Sequence, residues 1–438
     1  MRTGWRILSV VLLVTALAAS AQAGGIINKQ NLSADYIRTL NRNAATDMAD
    51  AAVYNPAGTA MMQDGFYVKA DAIYLQKDYS NQLPASIGPL SLAGGTLNSE
   101  EPSIIPGLFA VYKHDRWSLF FDVTVPGGGG KVNYNDGNAR TTMLSLPGAF
   151  GGLGTYLGGA AGNPNNINQS LEADAHYIGY SFGGAFKVLV SLSLAAGVRY
   201  VDATQKFKGQ ANGTTGPANT VNVKIEREDE AWNYFLGLDW APTRDLNIGL
   251  TYMSNTPLNF KSTAVDNSPG QVVSRNVGWA DGTHEREDLP GYIGLGVSYF
   301  LIPGTLRVEP NLTYYLEKQA TFQGQRFQDS NPGNSYDVGL TLEYILNPQW
   351  RFSIGYMHTE IQGMKSEDLL TDAPELDANT VSVGFVYSPV DRLSISLGAL
   401  RLWYESVKTD VNSSRAPART QYDKDVYGVA LGLQYRFF

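Results

Sequence analysis

Along YGVALGLQYRFF every second residue is apolar: Tyr427, Val429, Leu431, Leu433, Tyr435 and Phe437 share one face, and Gly428, Ala430, Gly432, Gln434 and Arg436 the other. A period of two predicts a β-strand with one greasy side. The same alternation runs through Ile293, Leu295, Val297, Tyr299 and Leu301, through Val338, Leu340, Leu342 and Tyr344, and through Trp232, Tyr234, Leu236, Leu238 and Trp240. Mostly Gly, Ser, Thr and Glu stand opposite. Followed along the chain, the pattern predicts about 14 strands, near 65–77, 103–113, 116–134, 176–189, 191–208, 222–241, 245–261, 288–301, 305–322, 334–346, 350–361, 379–388, 392–409 and 423–438. Short turns alternate with long polar loops, the latter near 78–102, 135–175, 209–221, 262–287, 323–333, 362–378 and 410–422.

An even strand number, aromatics gathered at strand ends, and one trimmed and one ornate edge predict an all-β fold, a transmembrane antiparallel β-barrel in the bacterial outer membrane. A soluble sandwich would show the alternation but has no use for aromatic girdles. Several segments exceed the ~9–11 residues that cross a bilayer and are expected to project beyond it.

Composition supports the barrel. The chain holds 25 Tyr, 17 Phe and 46 Gly, its mean hydropathy is negative, and after the first 23 residues no run approaches the length of a membrane helix. Arg2 and Arg6, the apolar run Ile7 to Ala19 and the small residues of Ala21-Gln22-Ala23 read as a secretory signal over 1–23. Its removal takes two arginines and shifts the formal charge from −8 to −10. An acidic chain without a clustered basic face is not built for nucleic acid. With no Cys, an exported chain must draw its stability from a core or a closed sheet.

Two segments break the alternation. Residues 24–64 mix polar and apolar side chains, with Ser33 placed to cap a short helix through Ala34 to Leu40. They are expected to fold inside the barrel as a hatch, leaving 65–438 as the wall, because a barrel of this width needs filling. The second break is FDVTVPGGGGKV, 121–132. Pro126 has no N–H for a ladder, and Gly127, Gly128, Gly129 and Gly130 tolerate backbone that disrupts one, so the third strand is expected to part locally from a neighbour. The other reading of the glycines is the start of an outer loop. Renewed alternation at Val132-Asn133-Tyr134 favours the kink.

SADYIRTLNRNAATDMADAAVYNPAG, residues 33–58, resembles the N-terminal hatch of the FadL family of outer-membrane transporters of hydrophobic compounds, and Asn55-Pro56-Ala57-Gly58 matches that family's Asn-Pro-Ala motif. The resemblance implies a 14-stranded barrel with a hatch and a kinked third strand through which substrate leaves sideways into the membrane. The chain is thus expected to pass hydrophobic molecules passively, by binding in an apolar pocket beside the hatch and movement of the hatch, long-chain fatty acids first and aromatic or aliphatic hydrocarbons as the alternative. The resemblance also implies that the mature N-terminus, Gly24, Gly25 and Ile26, reaches into the substrate pocket.

An apolar stretch in the 135–175 loop, with Leu144, Leu146, Phe150, Leu153, Tyr156 and Leu157, reads as a greasy landing groove or as loop packing. A monomer is expected, with outer-membrane lipid and lipopolysaccharide around it and no cofactor. The acidic runs Glu226 to Glu230 and His284-Glu285-Arg286-Glu287-Asp288 are expected at the solvated rim. Three enzyme-like motifs fail on context. GGGGKV lacks the Ser or Thr and the helix of a phosphate loop. Gly179-Tyr180-Ser181-Phe182-Gly183 has the spacing of a nucleophile elbow, which would make the chain a lipid hydrolase acting through Ser181, but it continues as strand. His114, His176, His284 and His358 are scattered, without metal spacing.

Overall fold

The structure, a computed structural model, describes residues 31–83, 86–87, 90–91, 95–144, 167–213, 220–322, 325–326, 333–362, 376–413 and 416–438. The signal read at 1–23 lies outside them. Fourteen antiparallel strands follow one another round a closed wall. They are β1 (Gly65–Leu83), β2 (Gly95–His114), β3 (Trp117–Tyr134), β4 (Ile167–Leu189), β5 (Leu192–Gly213), β6 (Thr220–Trp240) and β7 (Leu246–Met253, resumed at Asn259–Ala264). After them come β8 (Tyr292–Ile302, preceded by His284–Arg286), β9 (Leu306–Tyr315), β10 (Tyr336–Asn347), β11 (Trp350–Glu360), β12 (Ala378–Val390), β13 (Leu393–Tyr404, resumed at Val407–Ser413) and β14 (Ala416–Arg436). Closure is between β1 and β14, from Tyr67↔Arg436 to Gln82↔Gln421.

The alternation translates directly into two faces. Val429, Leu431 and Leu433 of β14 and Val338, Leu340 and Leu342 of β10 stand exposed on the outer face, where lipid meets them. Tyr427 and Tyr435 bracket the first set; eight residues span about 27 Å along a strand, which tilt reduces towards the ~25 Å apolar band of such barrels.

Several strands run longer than the sequence predicts, so the loops expected at 78–102, 135–175 and 209–221 are shorter. β4 alone has 23 residues. Above the lipid the outer face no longer needs apolar residues, and charge pairs take their place: Lys208 Nζ lies 2.7 Å from Glu172 and Lys206 Nζ 2.8 Å from Glu226. A polar stretch in this setting is ladder, since the ladder satisfies its own backbone whatever the side chains are.

The hatch lies inside. Ser33 caps α1 (Ala34–Thr39) by accepting from the Tyr36 N–H at 3.0 Å, and Leu40 ends it with φ 56°. α2 (Ala51–Tyr54) and a 3₁₀ turn (Pro56–Met61) follow. The hatch rests on inward-facing glycines of the wall. A side chain on Gly237 would meet Pro56 Cγ at 2.8 Å, on Gly296 the Ala44 nitrogen at 2.6 Å, on Gly355 the Thr39 oxygen at 2.5 Å and on Gly398 the Arg38 nitrogen at 2.7 Å. The small residues opposite the greasy face thus leave room for a second backbone. Gly355→Val is expected to cost about 1–3 kcal/mol by overpacking, read as a lower temperature for loss of the folded band's mobility in detergent gels.

Candidate functional site

Among the described residues the ladder between β2 and β3 breaks off part-way. These strands pair from His114↔Trp117 only as far as Leu108↔Val123, although β2 stays in register with β1 up to Gly95. The two-residue turn at Asp115-Arg116 makes His114↔Trp117 a hydrogen-bonded pair, and bonding alternates along an antiparallel ladder. Even-numbered residues of β2 therefore aim their N–H groups at β3. Pro102 and Pro106 fall on that series, so two of the next three donors on this edge are missing.

On its other side β3 stays attached to β4 through two bulges. Thr124 pairs with Gly179, Gly127 with Tyr177 and Gly130 with Ala175, so β3 inserts one extra residue in each interval. Gly128 and Gly130 have φ of +97° and +79°, values that other residues adopt only at a cost. One bulge would exchange the faces of β3; two restore them, and Val132 and Tyr134 again point inward like Asp122 and Thr124. Further up, side chains bridge the gap. Ser99 Oγ accepts the Asn133 N–H at 2.7 Å, and Lys77 Nζ donates to the Lys131 carbonyl at 3.2 Å.

A cavity of ≈ 380 Å³ fills the gap. Leu75, Ser103 and Ile105 line it from the lumen side, while Pro102, Ile104 and Ile178 belong to the outer face; a pocket walled by both faces of a sheet passes through it. Its surface is largely apolar, but Lys77, Lys131 and Lys424 also reach it, against the single carboxylate of Asp174. Lys424 is buried, with its ammonium 4.3 Å from the Tyr404 ring and 5.2 Å from the Tyr79 ring and no ion pair among the described residues. Arg199 lies behind Pro126 and Gly179, bonded to the neutral partners Asn233 at 3.2 Å and Thr256 at 3.4 Å. On the lumen side the lining merges with the apolar cluster of Leu75, Phe109, Leu402 and Val426 that continues to Tyr36 and Ile37 of the hatch.

Below this cluster the hatch is bolted to the wall. Across the seam Arg38 reaches Glu343 at 2.5 Å, Lys69 of β1 reaches Asp35 at 3.2 Å and Arg351 reaches Asp47 at 2.6 Å, while within the hatch Arg38 reaches Asp35 at 2.7 Å and Arg42 reaches Asp47 and Asp50 at 2.8 Å each. Burial alone would raise the Asp35 and Asp47 carboxyls. Lys69 and Arg38 beside Asp35, and Arg42 and Arg351 beside Asp47, outweigh it and hold both well below the usual carboxylate range. Asn55 of the Asn-Pro-Ala-Gly stretch donates to Asp239 at 2.5 Å and to the Ala45 carbonyl at 3.0 Å. Pro56 packs over Gly237, the Ala57 carbonyl accepts from Ser193 at 2.7 Å, and Gly58 lies against Ala45.

The family described as outer membrane protein transport protein (OMPP1/FadL/TodX) matches residues 165–437. The chain belongs to this family. Its fold is that of a Pseudomonas aeruginosa FadL homologue, at 16% identity and TM-score 0.67, over 93% of this chain and 99% of that one. The toluene transporter TbuX of Ralstonia pickettii is similar over 94% and 100% of the two chains, at 13% identity and TM-score 0.60. The toluene transporter TodX of Pseudomonas putida is similar over 90% and 96%, at 12% identity and TM-score 0.59. No curated protein sequence matches the chain. As a member of the FadL/TodX family, the protein is an outer-membrane β-barrel for transport of hydrophobic compounds.

Within this FadL/TodX barrel, the structure gathers Pro126 to Gly130 at one site but adds residues that the sequence reading passed over. Pro102 and Pro106 form the opposite lip, and their i, i+4 spacing in a strand was the available signal. Gly24, Gly25, Ile26, Leu146, Phe150, Leu153, Tyr156 and Leu157 lie outside the described residues. Leu144 ends α3 (Ala139–Leu144). Gly179 to Gly183 runs straight through β4 with no turn at Ser181. One expectation is corrected. Glu287 and Asp288 are not at a solvated rim but buried, because Glu285 and Glu287 fold inward to pair with the buried Arg227 at 3.0 and 2.8 Å.

Proposed function

We propose that this protein passes long-chain fatty acids from the outer face of the cell to the outer membrane, with exit sideways between β2 and β3. One observation carries the reading: the cavity in the gap is apolar along most of its lining, opens through both faces of the wall, and brings the ammonium groups of Lys77 and Lys424 to its inner part. An acyl chain fits the lining, and a carboxylate finds charge-assisted donors where bare hydrocarbon would not need them. The size lies within the range of small-molecule pockets.

The hatch stays seated in this scheme, although the sequence reading has it shift. Breaking one partner from a buried ion pair costs about 3–5 kcal/mol, and the hatch would have to break several at once. Closure of the ladder within one chain supports a monomer. The charged outer faces of β3 to β6 support contact with lipopolysaccharide above the lipid band.

The second reading is uptake of aromatic or aliphatic hydrocarbons. It is supported by the same apolar lining and by the toluene transporters among the similar structures. Cells lacking their own transporter and expressing this protein decide between the two with labelled oleate and labelled toluene. Saturable oleate uptake that excess toluene does not suppress is the expected result. Toluene uptake alone would install the second reading, and uptake of neither would remove both.

A further inference from the structure

Gly127 faces the lumen, and two side chains close the space above it. A methyl group there would stand 2.7 Å from Tyr177 Cδ2 and 3.0 Å from Leu289 Cδ2. Tyr177 is the ladder partner of Gly127 on β4. Leu289 comes from the β7–β8 connection, well round the wall from β3. Both are buried in one apolar cluster with Leu258 and Phe260.

The segment that carries Leu289 is fixed by a polar frame. Thr256 and Leu289 exchange backbone hydrogen bonds of 3.0 and 3.1 Å, and the Asp288 N–H donates to Thr321 at 2.7 Å. Glu287 accepts from Arg227 at 2.8 Å and from Gln205 at 3.1 Å, and Gln205 also donates to the Tyr177 hydroxyl at 2.6 Å. Arg227 lies 5.2 Å from the Phe260 ring and 4.7 Å from the Trp279 ring. The phenol and the leucine that meet Gly127 therefore hang on the same frame.

We propose that Leu289, together with Tyr177, is the seat that holds the bulged part of β3 away from β2, which makes Leu289 a positioning residue for the lateral opening. By the alternation of the ladder Val125 aims its backbone groups at β2, beyond the last pair. Unpaired backbone in a membrane wall is costly. Burial of Gly127 under Leu289 and Tyr177 offsets that cost, and its loss lets β3 settle back towards β2. The purpose of the seat rests on the transport reading; its existence does not.

The chain has no Cys, so Ser103→Cys, at the cavity lip, supplies a single thiol for a lipid-soluble maleimide in native outer membranes. Adding Leu289→Ala is expected to slow labelling about tenfold, the response to a shift of ~1.4 kcal/mol between seated and relaxed β3. Leu289→Met, which keeps the bulk, should label like the parent, and folded-band mobility in detergent gels checks each variant. Gly127→Ala should slow labelling by pushing β3 off the seat. Combined with Leu289→Ala it should slow labelling less than the product of the two, because the methyl occupies the vacated space. Unchanged labelling in a folded Leu289→Ala protein overturns the proposal, and so do multiplicative effects in the pair. Labelling that follows residue 289 while neither oleate nor toluene is taken up leaves the seat standing and removes the transport reading instead.

Discussion

A wall rebuilt between β2 and β3 stops uptake in a barrel that still folds. The rebuild has two parts. Deleting Gly128 and Gly129 removes the two extra residues by which β3 outruns β4 between Thr124 and Gly130. Pro102→Thr, Pro106→Thr and Pro126→Val restore the donors that these positions lack. A few recovered ladder bonds at about 1 kcal/mol each suffice to lower the population of the open gap about a hundredfold. Oleate uptake should then fall to the level of cells without the protein, and the Ser103→Cys thiol should become inaccessible from the lipid. The three proline substitutions alone should give an intermediate rate, since the bulges remain. A folded, rebuilt barrel that transports at the parent rate would place the exit elsewhere.

The fold was legible in the sequence because a membrane wall leaves little choice. Lipid demands an apolar outer face and the ladder fixes a period of two, so Tyr427 to Phe437 or Val338 to Tyr344 announce their orientation without help from the rest of the chain. The upper parts of β1, β2, β4 and β5 were not legible for the converse reason. Above the lipid nothing demands apolar residues, and Asp78, Glu100 and Glu172 look like loop until their cross-strand partners are known.

The site divides in the same way. Pro126 and the glycines after it stand out locally because they violate strand chemistry, and the structure places two bulges there. The other lip was equally written in the sequence, as Pro102 and Pro106, but its meaning depends on which edge of β2 those residues face. That is set by the parity of a turn several residues away, at Asp115-Arg116. Leu289, Tyr177 and Arg227 carry no local mark at all. Their part arises from the path of the β7–β8 connection over the lumen, which alternation does not report. The acidic run from Glu285 to Asp288 was misread for the same reason, since its partner Arg227 lies on another strand.

Lys77→Met with Lys424→Met separates a carboxylate substrate from a hydrocarbon. Both side chains project into a largely apolar cavity that Lys131 and Asp174 also line, and a methionine keeps the length and adds apolar surface, so the passage should remain and its lining become greasier. A hydrogen bond to a charged group contributes about 1.5–3 kcal/mol, which predicts that the oleate concentration for half-maximal uptake rises about tenfold to hundredfold. Any toluene uptake should change far less, because the cation–π attraction that a ring loses with the ammonium groups is offset by the apolar surface that methionine adds. Lys77→Arg should keep much of the oleate response, since the charge survives. If the double methionine variant takes up oleate as the parent does, the lysines serve the wall and not the substrate. Lys77 would then be a bridge to the Lys131 carbonyl across the gap, Lys424 a cation held between Tyr79 and Tyr404, and the cavity a passage that reads only apolarity.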